Sequence, residues 1–322
     1  MKPMKCLAAI AVLALTLGGC MNRGQPEHWT PTEDVPGIPR KLERAEGGGV
    51  PTLTVYDTGR EAVSDMDIET YVEGVVAGEM KNDWPLEALK AQAILARTFT
   101  LRFCADKSSK YKGADISTDV TEAQAYDAKS VNDTIRQAVK ETRGMAMAYK
   151  GDYPYAWFHA HAGGMTELPT VALDYGKEDP AYLQSVESRE SDKAPESVKA
   201  WTARFTLRQV AEACREAGTK VKEVETVAVG ERGQSGRAKT LAINGQYVSA
   251  PSFRIAIGAN RLKSTLIDDI EVDDGHVTFT GRGFGHGVGL SQWGAYAMAE
   301  QGQRAEDIIR HYFRDIDIVK LW

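Results

Sequence analysis

The chain has 322 residues, 43% hydrophobic and 26% charged, with a formal charge of −6 at pH 7. Mild acidity without a basic stripe excludes nucleic acid as the natural partner and leaves a polysaccharide open. The length allows one elaborate domain or two small ones around a sizeable core.

The first nineteen residues read as an address. Lys2 and Lys5 form a positive start, residues 6–17 are an apolar run too short for a comfortable membrane span, and Leu17-Gly18-Gly19-Cys20 follows. That ending looks like a bacterial lipobox. Residues 1–19 are then a lipoprotein signal peptide, and Cys20 becomes the lipidated first residue of an extracytoplasmic, membrane-anchored protein. An ordinary secretory signal with a chance cysteine leads to the same side of the membrane. Loss of Lys2 and Lys5 takes the charge from −6 to −8. Residues 20–50 carry Pro26, Pro31, Pro36, Pro39 and the run Gly47-Gly48-Gly49 with little apolar periodicity, so they read as a flexible tether. The folded part is expected over 51–322, with a subdomain around 180–275. Cys104 and Cys214, the other two cysteines of the mature chain, form one disulfide or stay as buried apolar groups; the sequence leaves both open.

Residues 51–56 alternate as an entry strand, with Leu53 and Val55 on one face. A helix follows over 67–80, where Ile68, Tyr71, Val72, Val75 and Val76 form an apolar stripe. Glu79 continues that stripe, whereas Glu69 and Glu73 fall on other faces. A carboxylate in apolar surroundings is costly to ionise, so its pKa rises and it can hold a proton near neutrality, as a general acid must. A Glu at a stripe edge can also bend back to water. Asp83 is a candidate N-cap, and Pro85 suits the first turn of a second helix over 86–103, rich in Ala and Leu. Lys90 and Arg97 lie nearly on one face of it. They are candidates for holding a substrate, or they are solvated, with Lys90 pairing to Glu87. A cation beside Glu79 would lower its pKa and oppose the effect of burial.

A third helix is expected over 131–143, then strands at 146–149 and 155–160. The segment Trp157-Phe-His-Ala-His-Ala-Gly-Gly-Met-Thr-Glu167 puts His159 and His161 on one face of a strand. That spacing suits two metal ligands, with His286 as a third. No established metal motif accompanies it, and hydrogen bonding to a sugar or to the support of Glu79 fits better. A helix lies within 201–217, and strand-like runs at 221–229, 240–243 and 276–280 are separated by turn signals such as Asn244-Gly245 and Asp274-Gly275. Between 281 and 289 glycine takes every second position, in Gly281-Arg-Gly-Phe-Gly-His-Gly-Val-Gly289. This is neither a dinucleotide nor a phosphate-loop pattern. It reads as a bare loop near a ligand, with His286, Ser291, Gln292 and the plate of Trp293 beside it, or as a tight structural crossing before a last helix at 291–301. Helices and mainly antiparallel strands mix without regular alternation, so the fold class is α+β.

Three blocks of residues resemble the stage II sporulation protein D family, the SpoIID/LytB domain. They are Tyr71-Val-Glu-Gly-Val-Val-Ala-Gly-Glu-Met80 with Trp84-Pro-Leu-Glu-Ala-Leu-Lys-Ala-Gln-Ala through Arg97-Thr-Phe; Phe158-His-Ala-His-Ala-Gly-Gly-Met-Thr-Glu167; and Gly281 to Ala295 with His311-Tyr-Phe313. The resemblance covers about 51–322. It implies a SpoIID-like catalytic domain and a lytic transglycosylase that cuts peptidoglycan glycan strands between N-acetylmuramic acid and N-acetylglucosamine, leaving a 1,6-anhydro end, with no cofactor. It places the catalytic acid on Glu79, supporting roles on Lys90 and Arg97, and a preference for strands an amidase has stripped of stem peptides. Glu167 is a candidate helper carboxylate. Some members bind zinc in the segment matching Ser117 to Ala123; Ser117, Glu122 and Ala123 stand there, so no metal is expected. Ala160-His161-Ala162 replaces a more usual Ser-Thr-Ser. The rival functions are a non-catalytic glycan-binding enhancer of a cell-wall amidase and a metal hydrolase built on His159, His161 and His286.

Overall fold

A computed structural model describes residues 35–42 and 49–322. The signal peptide, Cys20 and most of the tether lie outside these residues. The described part of the tether, 35–42, is seated on the domain: Leu42 is buried in its core, and the Tyr153 hydroxyl donates to the Gly37 carbonyl at 3.2 Å. Proline-rich chain without periodicity reads as a tether, yet Leu42, with Ile38 packed on the same core, seats this stretch.

The architecture is α+β, with mainly antiparallel pairing. Strand β1 (Thr52–Asp57) lies between β2 (Ala62–Asp67), antiparallel to it, and β3 (Ile116–Ser117), parallel to it. Leu53 and Val55 of β1 are fully buried, as their alternation requires. Helix α1 (Ile68–Glu79) starts where the Asp67 carboxylate accepts from the Thr70 amide at 2.9 Å. Helix α2 (Leu86–Asp106) has Pro85 at its N-cap position with no side-chain cap, so Asp83 does not play the part its position suggested. Asn132 caps α3 (Asp133–Glu141).

Helix α2 is the axis of the molecule. Ala88, Leu89, Ala91, Ala93, Ile94, Leu95 and Ala96 are all fully buried, so apolar side chains surround it rather than forming a stripe. One side packs with α1, α3 and β1 in a first core; the other packs in a second core with the helices Gln292–Glu300 and Ala305–Tyr312 and the hydrogen-bonded strands Met145–Ala148 and Asp317–Lys320. A third, separate core runs from Trp201 to Phe279. It holds the sheet of Trp201–Thr206, His276–Gly281 and Ile267–Asp273, a smaller sheet, and the helices Leu207–Glu216 and Ala250–Gly258. Cys104 lies in the first core and Cys214 in the third, both as free thiols that burial keeps protonated, so neither forms a disulfide. Among the described residues no helix is long and apolar enough to cross a membrane.

Arg97 lies at the junction of the first two cores and is fully buried. Its guanidinium donates to both oxygens of Glu69, at 3.1 and 2.5 Å, and to the Met145 carbonyl at 2.9 Å. Glu69 also accepts from the Gly144 amide and the Trp322 indole, at 3.1 and 3.0 Å. Glu69 lies off the apolar stripe, as its spacing indicates, yet the face it occupies is buried too, and there it is the ion-pair partner of Arg97. Removing one partner of such a pair strands a buried charge. Arg97→Met is expected to cost about 3–5 kcal/mol of stability, and the double variant Arg97→Met/Glu69→Leu to recover most of it, read from urea unfolding midpoints. A loss of activity without a loss of stability would instead place Arg97 at the substrate.

Candidate active site

Glu79 is the last residue of α1, where the helix's unpaired carbonyls disfavour a second negative charge. Val75 and Val76, one turn back, are fully buried, and Glu79 itself is half-buried. Desolvation pushes its carboxyl up to about 7, against the opposing pull of one hydrogen bond, from the Ala125 amide to Oε1 at 2.7 Å. Beside it runs an open groove of about 440 Å³ lined by Ala77 to Asp83 and Ser130, so the carboxyl is poorly hydrated but within reach of a ligand.

Two glycines bring the Ala125 donor into range. Gly74 and Gly78, four residues apart, leave a notch on α1 that receives Ala125 and Tyr126. A Cβ on Gly78 would lie 2.6 Å from the Tyr126 nitrogen, and one on Gly74 only 2.2 Å from the Tyr126 ring. The Asp127 amide closes the contact on the Gly74 carbonyl at 2.9 Å. Upstream, Glu122 pins the same segment by accepting from the Ser117 hydroxyl, the Ser109 hydroxyl and the Lys110 amide, at 2.5, 2.8 and 2.5 Å. A carboxylate thus ties together the stretch from Ser109 to Ser117. Among the described residues no group of three or more His, Cys, Asp or Glu is arranged to hold a metal ion.

From the other side, Gln292 donates to the Glu79 backbone carbonyl at 3.2 Å. Gln292 opens the helix that follows the glycine run, and Ser291 caps that helix through the Gly294 amide. Trp293 is not a free plate; it packs on Trp84 at 4.5 Å and on Tyr296 at 5.2 Å, forming an aromatic floor directly after the groove residues.

The glycine run is a structural crossing. Its backbone runs against the histidine segment: the His161 and Phe284 amides exchange hydrogen bonds with each other's carbonyls, and Leu290–Ser291 pairs in parallel with Phe158–His159. Added Cβ atoms would strike the protein itself: His161 O for Gly283, His159 Cβ for Gly285, the Arg237 guanidinium for Gly287 and Trp157 O for Gly289, within 2.1–2.9 Å. The reading of a bare loop kept open for a ligand gives way to backbone packing.

The three imidazoles belong to this crossing. His159 and His161 are each 4% exposed; His159 Nδ1 donates to the Val288 carbonyl, whereas Nδ1 of His161 and of His286 accept from the Gly163 and Val288 amides. Burial holds His159 well below its usual range, His161 at about 4 and His286 at about 3, so all three are neutral at pH 7. Glu167 is equally interior. It accepts from the Leu168 amide and from the amide and hydroxyl of Ser235, which makes it a clamp on a turn rather than a helper to Glu79. Lys90 bonds Glu87 at 2.8 Å and Glu141 at 3.3 Å, and Arg97 is taken up by Glu69, so neither cation reaches Glu79. The fold brings Gln292 to Glu79, with Ser291 and Trp293 on either side of Gln292 in the chain.

Sequence reading missed Glu190 and Arg237. Arg237, fully buried beneath the glycine run, donates to the Met165 and Ala162 carbonyls at 2.9 and 2.7 Å. Glu190 accepts from the Ser291 hydroxyl at 2.9 Å and from the Ala162 amide at 3.0 Å. Neither has periodicity or a motif around it; only the fold brings their partners close.

A family model described as stage II sporulation protein matches residues 56–149, and one for a domain of unknown function matches 170–289. The stage II sporulation protein D of Bacillus amyloliquefaciens is 33% identical over 85% of this chain and 83% of its own length; that of Bacillus subtilis is 31% identical over 83% and 78%. An amidase enhancer of Bacillus subtilis is 26% identical over 75% of this chain but only 39% of its own length. With a third or nearly a third of residues shared along most of both partners, the chain belongs to the stage II sporulation protein D family.

Proposed function

We propose that the protein is a lytic transglycosylase that cleaves the bond between N-acetylmuramic acid and N-acetylglucosamine in peptidoglycan glycan strands. The observation that carries this reading is a carboxyl poised near pH 7 beside an open groove, with no cation among the described residues in contact to discharge it. Membership of the family, with an amidase enhancer among the relatives, supports a role at the cell wall.

The chemistry follows from one side chain. Protonated Glu79 gives its proton to the glycosidic oxygen as positive charge grows at the muramic acid C1. The carboxylate then takes the proton of the C6 hydroxyl, whose oxygen bonds to C1 and closes the 1,6-anhydro ring. Because the intramolecular hydroxyl replaces water, a second carboxyl of the usual glycosidase pair is not required. The Ala125 amide orients the carboxyl and stabilises the anion formed halfway. Lys81 lines the same groove and offers a cation to the lactyl carboxylate that muramic acid exposes once its stem peptide is gone, which fits prior action of an amidase. A lipid on Cys20 would hold this domain at a membrane; Cys20→Ala should then move the protein from the membrane to the soluble fraction, as fractionation would read.

Glu79→Gln should lower the release of 1,6-anhydro products from stripped glycan strands by about a hundredfold to ten-thousandfold, measured by mass spectrometry. Retention of amidase stimulation by that variant, with no anhydro product from the parent protein, would favour the enhancer reading. A proton donor must be protonated, so the wild-type rate should fall as pH rises through about 7, where Glu79 titrates. Gly78→Ala should push Ala125 away, lower kcat/KM by about tenfold and move this alkaline limb upward, because the anion loses its donor. Gly176→Ala, at a position with open space around it, should change neither.

A further inference from the structure

Glu190 is a partly buried carboxyl that the mechanism leaves unused. It lies where three segments of the chain meet. Its carboxylate holds the Ala162 amide, on the histidine segment, and the Ser291 hydroxyl, at the start of the Gln292–Glu300 helix. Backbone bonds bind the same three segments: the Trp293 amide to the Ala160 carbonyl at 3.0 Å, and the Ser191 amide to the Trp293 carbonyl at 3.3 Å. The first turn of that helix carries Gln292, which grips the backbone of Glu79.

We propose that Glu190 is a positioning residue for Glu79: its carboxylate clamps the histidine segment to the helix that begins at Gln292 and thereby fixes the amide that holds the end of α1. This rests on the reading of Glu79 as the working acid. The clamp depends on charge. An ionised carboxylate offers only acceptors to the Ser291, Ala162 and Ser188 donors, whereas a protonated one must turn a donor toward them. Burial pushes Glu190 up to about 7, while Ser188, Ser291, Ala162 and the charge of Arg237 pull the other way. Tyr312, hydrogen-bonded to Ser188, is the remaining titratable group facing it, and burial keeps its hydroxyl protonated. Glu190 therefore works charged and Glu79 works protonated, and activity is confined to a window around neutrality.

The test uses Glu190→Gln, a permanent mimic of the protonated clamp. On stripped glycan strands its kcat/KM should fall about tenfold near pH 7.5 and match wild type near pH 5.5, since misplacing a catalytic group acts on rate directly. A purely structural residue would lower activity by the same factor at every pH, and that result would overturn the proposal. A second readout needs no turnover. In full-length Glu79→Gln protein, the side-chain amide resonance of Gln292 should titrate with a midpoint near pH 7, and in Glu79→Gln/Glu190→Gln it should not. A flat resonance in the first protein, or the same titration in both, sinks the clamp. If Glu190→Gln fails to fold, Ser291→Ala in the Glu79→Gln protein removes one donor and should shift that midpoint upward; an unmoved midpoint counts against the proposal. If wild type releases no anhydro product at any pH, the reading of Glu79 fails, while the resonance still decides the clamp.

Discussion

The buried pair of Arg97 and Glu69 fixes the two helices on which the cleft is built. The pair joins α1 to α2, and through the Met145 carbonyl on Arg97 and the Gly144 amide and Trp322 indole on Glu69 it also fastens the strand after α3 and the carboxyl end of the chain. A desolvated charge tolerates little displacement, because each ångström of separation forfeits interaction that water does not restore. The height of α1 relative to α2 is therefore set well before Glu79 is reached. That height decides whether Gln292, which packs beside Gln92 of α2, also meets the end of α1.

Four interior carboxyls show how the supply of donors sets charge. Glu69 faces a guanidinium and two further N–H donors; Glu167 has three donors and the nearby charge of Arg237. Both hold chain segments together through these bonds. Glu190 has comparable donors but no cation in contact, and Glu79 has a single amide at the negative end of a helix. Burial pushes both Glu190 and Glu79 up to about 7. Of the four, Glu79 has the fewest donors and is the one that lines the groove.

Much of this was legible in the residues. The stripe on α1 marked Glu79 because a 3.6-residue period reports directly which face is buried, and Leu53 and Val55 marked β1 in the same way. The α+β class followed from the irregular order of elements. What stayed hidden required contacts between distant parts of the chain. Glu69 fell outside the stripe, and the period of one helix does not show that α2 covers the face it occupies. Lys90 and Arg97 matched a resemblance in sequence, but their partners at Glu87, Glu141 and Glu69 absorb their charge. The strand Trp201–Thr206 was missed although its burial alternates, since Thr202, Arg204 and Thr206 dilute its apolar residues. Glu190 had no local signal at all.

The glycine run shows how a dense motif can mislead about where chemistry lies. Five glycines in nine residues suggest room for a ligand, yet the space each one vacates holds an atom of Leu266 or Trp201, of the histidine segment, of Arg237 or of Trp157. Close backbone approach gives the loop a fixed path, and a fixed path gives the next helix a fixed start. Four of these glycines have φ between 70° and 101°, which costs any other residue strain even where space allows. The run and the imidazoles it covers are thus the mould in which Ser291, Gln292 and Trp293 are set. Reactive groups emerge only at its downstream edge, where Gln292 turns toward Glu79 and the protein's interior gives way to the groove.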